Sequence, residues 1–127
     1  MNLIPFPWGK TKKSDEGKPF DVEKYLKNLS VSTEGFVEEE GITYIKSVNL
    51  ADDNAIETTT KELAKENIVL LNIREMLSNP IALSDKVRRI KEYCNLNGGD
   101  VVRISEIKIL VVPQTVKVAY NTPPQEQ

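Results

Sequence analysis

The side chains that most often do chemistry are scarce in this 127-residue sequence. It contains no histidine, the commonest general base and the commonest metal ligand near neutral pH. Its lone cysteine, Cys94, shares a helical spacing with Leu83, Val87 and Ile90, which marks a buried structural thiol and not a nucleophile. Gly98-Gly99-Asp100 follows an apolar periodic stretch. Glycines there end a helix, whereas a phosphate-cradling loop has to precede one. The acidic runs Asp52-Asp53 and Glu38-Glu39-Glu40 are of the kind that stays solvated. No catalytic residue, metal site or cofactor is expected, and the chain reads as non-enzymatic.

What remains is the chemistry of charge and apolar surface, and both are unevenly placed. Residues 1–13 carry Lys10, Lys12 and Lys13 with no acid, residues 14–40 carry eight acids against three lysines, and from 41 onward eleven acids balance eleven bases. The first segment also holds Leu3, Ile4, Phe6 and Trp8, while Pro5 and Pro7 keep a regular helix from running through them. An apolar aromatic cluster followed by lysines suits an interfacial anchor, because Trp favours the headgroup zone and Lys pairs with anionic lipid. The overall charge of −2 argues against nucleic acid as a partner.

No apolar run approaches the ~20 residues that span a bilayer, and the N-terminal lysines follow the apolar stretch, the reverse of a signal peptide. With one cysteine and hence no intrachain disulfide, a reducing compartment is expected. The expected organisation is a membrane-targeting tip (1–13), a flexible acidic linker (14–40), a globular core (41–120) and a disordered tail (121–127). Within the linker, Phe20, Val22, Tyr25, Leu26 and Leu29 have the spacing of one face of a short helix.

The elements of the core follow from periodicity and punctuation. Ile42 to Leu50 alternates as a first strand. Asp52 or Asp53 caps a helix to about Glu66, and Ile68–Ile73 is continuous enough to predict a strand buried on both faces. Asn79-Pro80 opens a second helix as N-cap and N1, and Gly98-Gly99 closes it in a structural turn. Three short strands are expected over 101–104, 107–112 and 116–120. The order β-α-β-α-β-β-β predicts an α/β fold with two helices on one face of a mixed sheet of about five strands. The other face would then expose apolar residues from 68–73 and 107–112, which predicts a homodimer.

The core resembles SepF, a cell-division family with bacterial and archaeal forms. The resemblance rests on Ile68-Val69-Leu70-Leu71-Asn72-Ile73, the helix from Ile81 to Cys94, Gly98-Gly99-Asp100-Val101-Val102-Arg103-Ile104, and Lys108-Ile109-Leu110-Val111-Val112-Pro113. It implies an N-terminal membrane-targeting segment on a variable linker, the layout already read from charge. Glu92 stands where the bacterial form usually has a glycine that helps dimers polymerise, so the resemblance points to the archaeal branch.

The resemblance further implies a cell-division adaptor that binds the C-terminal peptide of FtsZ. Such an adaptor tethers FtsZ filaments to the cytoplasmic membrane, as a peripheral protein at the division site. A peptide needs an apolar groove and a few polar clamps. By position these are expected from Ile81, Leu83, Lys86, Val87 and Arg89 on the second helix, and from Val101, Val102 and Arg103 on the strand after it. The rival reading is a small-molecule-sensing regulatory α/β domain whose glycine turn lines the ligand site.

Overall fold

A computed structural model describes residues 19–29 and 36–121 of the chain. The tip at 1–13, residues 14–18 and 30–35 of the acidic linker, and the tail from 122 therefore lie outside the described residues. The chain divides between Glu38 and Glu39 into two units.

In the first unit, α1 spans Val22–Lys27. Asp21 caps it, its carboxylate accepting the Lys24 amide at 3.2 Å. The Phe20 and Tyr25 rings meet at 5.7 Å between centroids, and none of the helix residues is buried. This is the helical patch expected from the apolar spacing.

The second unit contains β1 (Ile45–Asn49), α2 (Ala55–Ala64), β2 (Ile68–Asn72), a 3-10 turn (Arg74–Met76), α3 (Pro80–Asn97), β3 (Asp100–Arg103) and β4 (Lys108–Val112). The sheet order is β1-β2-β4-β3, with β1 and β2 parallel and the other pairs antiparallel. The parallel pair requires a crossover, and α2 supplies it. The antiparallel pair β3–β4 needs only the hairpin at Ile104–Ile107, where Ile104 donates to the Lys108 carbonyl at 3.0 Å.

Register decides which residues share a face. Val48, Leu71 and Ile109 form one row, and Lys46, Val69, Val111 and Val101 the next. On that side Val69, Leu71, Ile109 and Val111 join Leu50, Ala55, Leu63, Ile73, Met76, Ile90 and Cys94 in one buried cluster. Both long helices therefore lie on one side. Truncating a central member such as Leu71 to Ala would cost about 2–5 kcal/mol.

One polar group is built into this layer. Asn67, almost fully buried, accepts the Tyr44 amide through Oδ1 at 2.9 Å and donates Nδ2 to Glu62 Oε1 at 2.9 Å. Lys46 Nζ reaches Glu62 Oε2 at 3.2 Å. Burial pushes the Glu62 carboxyl up, but the hydrogen bonds from Asn67 and Lys46 and the charges of Lys46 and Lys65 outweigh it and hold the group below its ordinary value. The start of β1, the end of α2 and the start of β2 are joined through this carboxylate. Elsewhere Thr59 Oγ1 is buried on α2 with no hydrogen-bond partner among the described residues.

Three expectations need correcting. Val116–Tyr120 forms no strand. β4 is already flanked by β2 and β3, so a segment turning back after Pro113 finds no free edge beside it. Second, β2 is not buried on both faces. Ile68 and Leu70 are only half-buried, because their row, continued by Leu110 and Val102, faces away from the helices. The outermost position of this face, Ile45 on β1, is 68% exposed. The first strand also begins three residues later than expected, since the Tyr44 amide is held by a side chain.

Candidate functional site

The second long helix was expected to carry binding residues, and its ends explain how it is placed. Asn79 Oδ1 accepts the Ala82 amide at 3.3 Å, with Pro80 at the first turn where no N–H is needed. At the far end Gly98 takes φ +87° and donates to the Cys94 carbonyl at 2.7 Å. Gly99 is fixed for a different reason. A Cβ there would fall on the Val112 carbonyl oxygen and lie 3.2 Å from Cys94 Sγ. The two glycines let α3 turn directly into β3. Burial pushes the Cys94 thiol up, and Asp100 adds to the effect, so the thiol stays protonated and unreactive.

Along α3 the expected binding residues separate into different surroundings. Ile81 is 83% exposed. Leu83 and Val87 pack against the core, as does Val101 on β3. Lys86 Nζ donates to the Leu50 carbonyl at 2.8 Å and the Asp52 carbonyl at 3.2 Å, so its ammonium ties α3 to the loop after β1. Arg89 is exposed and lies 3.5 Å from Asp85. Arg88 bridges Asp85 at 2.7 Å and Glu92 at 2.8 Å, an exposed lattice within one helix that contributes little to stability.

On the strand, Val102 pairs with Leu110 on the helix-free face, one pleat away from Val101. Arg103 donates Nε to the Ser105 carbonyl at 3.1 Å and Nη2 to the Glu106 carbonyl at 2.8 Å. It thus braces the hairpin. α3 and β3 are packed neighbours, so Leu83, Val87 and Val101 share a layer, while Ile81 stands in solvent and Val102 and the Arg103 guanidinium point elsewhere. Two further exposed apolar residues that were not among the expected binding residues, Leu77 and Ile104, sit at the same end of the sheet as Ile81. Leu77 follows the 3-10 turn and Ile104 follows the last residue of β3, and strand or helix spacing gives no measure of their exposure.

A cavity of about 290 Å³ lies at the opposite end, lined by Leu63, Tyr93, Cys94, Asn97, Gly99 and Pro113 among others. It is bordered by the C-terminal turns of α2 and α3, whose carbonyl ends disfavour anions. Among the described residues no cluster of three or more His, Cys, Asp or Glu is placed to hold a metal ion. No helix among them is long and apolar enough to cross a membrane.

The sequence matches no family model and no curated protein. The architecture does match solved structures. A SepF-like protein from Pyrococcus furiosus superposes with a TM-score of 0.60 at 21% identity, covering 65% of this chain and 100% of that one. The fold is the SepF fold. A SepF-like protein from Archaeoglobus fulgidus gives 0.60 at 20% identity, over 65% of this chain and 100% of that one. Cell division protein SepF from Methanobrevibacter smithii, solved in complex with FtsZ-CTD, gives 0.55 at 15% identity over 61% and 99%.

Proposed function

We propose that this protein is a non-enzymatic cell-division adaptor that binds the C-terminal peptide of FtsZ through its α/β unit and holds FtsZ filaments at the cytoplasmic membrane. The observation that carries the reading is the shared fold with a SepF solved in complex with FtsZ-CTD. The end of the sheet that presents Leu77, Ile81 and Ile104 supports it. These are exposed apolar side chains, suited to the apolar anchors of a short peptide, and Arg89, two turns further along α3 and exposed, offers a cation to an acidic flank. Lys86 and Arg103 hold carbonyls of their own chain and serve the site by shaping it.

Membrane attachment rests on the tip, where Leu3, Ile4, Phe6 and Trp8 precede Lys10, Lys12 and Lys13. Partial insertion of four such side chains at roughly 1–2 kcal/mol each, with about 1 kcal/mol per lysine less the ordering cost, gives a weak anchor for one chain. A homodimer closed over the helix-free face brings two tips and two peptide sites together, and avidity then rises by about 10²–10⁴. The test is co-sedimentation with anionic liposomes, with and without FtsZ, of the full chain and of a chain lacking residues 1–13. The reading expects only the full chain to sediment and to bring FtsZ with it. Failure of the full chain to bind FtsZ at all would overturn it.

The cavity beside Gly99 favours a second reading, a small-molecule-sensing domain. Its volume is at the lower limit of ordinary ligand sites. A ligand-dependent rise in melting temperature, unaffected by deletion of 1–13, would support it over the adaptor.

A further inference from the structure

Glu66 breaks two local rules at once. Its φ of +67° makes it the one non-glycine residue among those described with a left-handed backbone, a conformation that only glycine adopts without steric cost. It also puts a carboxylate at the C-terminal end of α2, where the helix dipole disfavours negative charge. The turn itself is well made. The Glu66 amide donates to the Leu63 carbonyl at 2.9 Å and the Asn67 amide to the Glu62 carbonyl at 3.0 Å, the bond pair that glycine at this position ordinarily completes. Folding therefore accounts for the bend and not for the glutamate. Residues that break local rules collect at functional sites, and Glu66 lines the cavity of about 290 Å³ at the ends of α2 and α3.

We propose that this cavity binds a protonated alkylamine, with the ammonium group at Glu66 and the alkyl chain on the apolar floor. The proposal rests on the cavity being a ligand site, as the second reading above has it, and names the class of ligand. It is independent of the adaptor reading, because Leu77, Ile81 and Ile104 lie at the other end of the sheet.

The polar lining has one sign. Among the described residues that line the cavity, Glu66 alone carries charge. It makes no ion pair among the described residues, and its neighbour Lys65 reaches Glu62 at 3.6 Å. The C-terminal turns of both long helices add their carbonyl ends, which favour cations. Asn97 donates Nδ2 to the Tyr93 carbonyl at 2.9 Å, which leaves its Oδ1 as an acceptor. An ammonium group brings three donors and no acceptor, so it matches a carboxylate, a carboxamide oxygen and helix carbonyls together. The half-buried ring of Tyr93 adds a further preference for a cation.

The floor sets the rest of the ligand. Leu63, Cys94, Val112 and Pro113 line the cavity and are buried, and the Cys94 thiol is protonated, so the floor is apolar and neutral. A volume at the lower limit of ordinary ligand sites suits a short alkyl chain. A free amine and the lysine side chain of a partner protein offer the same chemistry, and the test separates the two.

The experiment titrates n-butylammonium into the full chain at fixed ionic strength, read by amide chemical shifts, with n-butanol and butyrate as neutral and anionic controls. The expected result is saturable shifts at Glu66, Asn97 and Gly99 with a Kd of about 1 mM, and binding at least about tenfold weaker for both controls. Glu66→Gln should weaken butylammonium binding about tenfold. Glu66→Gly should weaken it as much while raising the melting temperature, because glycine relieves the backbone strain. Backbone-capped lysine binding more tightly than butylammonium identifies a partner's side chain as the source, and weaker binding identifies a free amine; both uphold the ammonium site. Butanol or butyrate saturating the same amides as well as the amine overturns the cation class and leaves the small-molecule reading standing. Cavity amides that respond to no probe overturn both. Unchanged affinity in Glu66→Gln, or a lower melting temperature in Glu66→Gly, shows that Glu66 serves the fold and overturns the proposal.

Discussion

Replacing Asn67 with alanine tests whether the buried carboxylate network fixes the first βαβ unit. Asn67 is 2% exposed and makes two hydrogen bonds of 2.9 Å, one from the Tyr44 amide and one to the buried carboxylate of Glu62. Losing a neutral bond costs about 0.5–1.5 kcal/mol and one to a charged group about 1.5–3. Water recovers part of the first, because Tyr44 is only part-buried. The expected loss is about 2–4 kcal/mol, read by urea unfolding at neutral pH. For a unit of this size that corresponds to a fall in Tm of roughly 10–20 °C.

The same change carries a pH signature. Because Glu62 is held below its ordinary value, its contribution is fully present above the unfolded-state value of about 4.3. It is lost as pH falls through the lower folded-state value. Without Asn67 the burial cost on the carboxylate is less well offset, so the acid limb of stability moves to higher pH. A double-mutant cycle with Glu62→Gln should show a coupling of about 1–2 kcal/mol. A loss below about 0.5 kcal/mol, with the acid limb unmoved, would refute the reasoning.

Three further outcomes follow from the geometry. Ile81→Ala should leave the melting temperature unchanged, since the side chain is already in water. By calorimetric titration it should weaken FtsZ-peptide binding about tenfold; unchanged affinity would remove α3's first turn from the site. Gly99→Ala should destabilise by about 1–3 kcal/mol in denaturant unfolding, because the added methyl meets the Val112 backbone carbonyl, which cannot swing aside. Thr59→Val should raise stability by about 1 kcal/mol in a thermal melt, as it removes a buried hydroxyl that has no partner; a clear loss would mean the hydroxyl is bonded.

Local signals sufficed wherever a single stretch of chain decides its own conformation. Asn79-Pro80 and Gly98-Gly99 bounded α3 correctly, because caps and positive φ are properties of a few adjacent residues. Periodicity likewise located β1, α2, β2, β3 and β4 to within a few residues, and it found the short helix α1. The SepF fold was legible in the run from Ile68 to Pro113, whose apolar strands and glycine turn fix the element order.

Pairing was beyond reach of the sequence. Val116–Tyr120 reads as a strand, but β2 and β3 already occupy both sides of β4, and strand order is set by crossovers that no window of residues reveals. The surroundings of individual side chains were equally a tertiary matter. Lys86 and Arg103 look like surface cations available to a partner, yet three-dimensional proximity gives them carbonyls of their own chain. Glu62 and Asn67 look like ordinary polar residues near a helix end until the crossover brings β1 and β2 together around them. The sequence determined the helices and marked the segments able to be strands, through local sterics and hydrophobic spacing. The tertiary structure decided which polar groups meet and which edges stay open, because both depend on contacts between residues far apart in the chain.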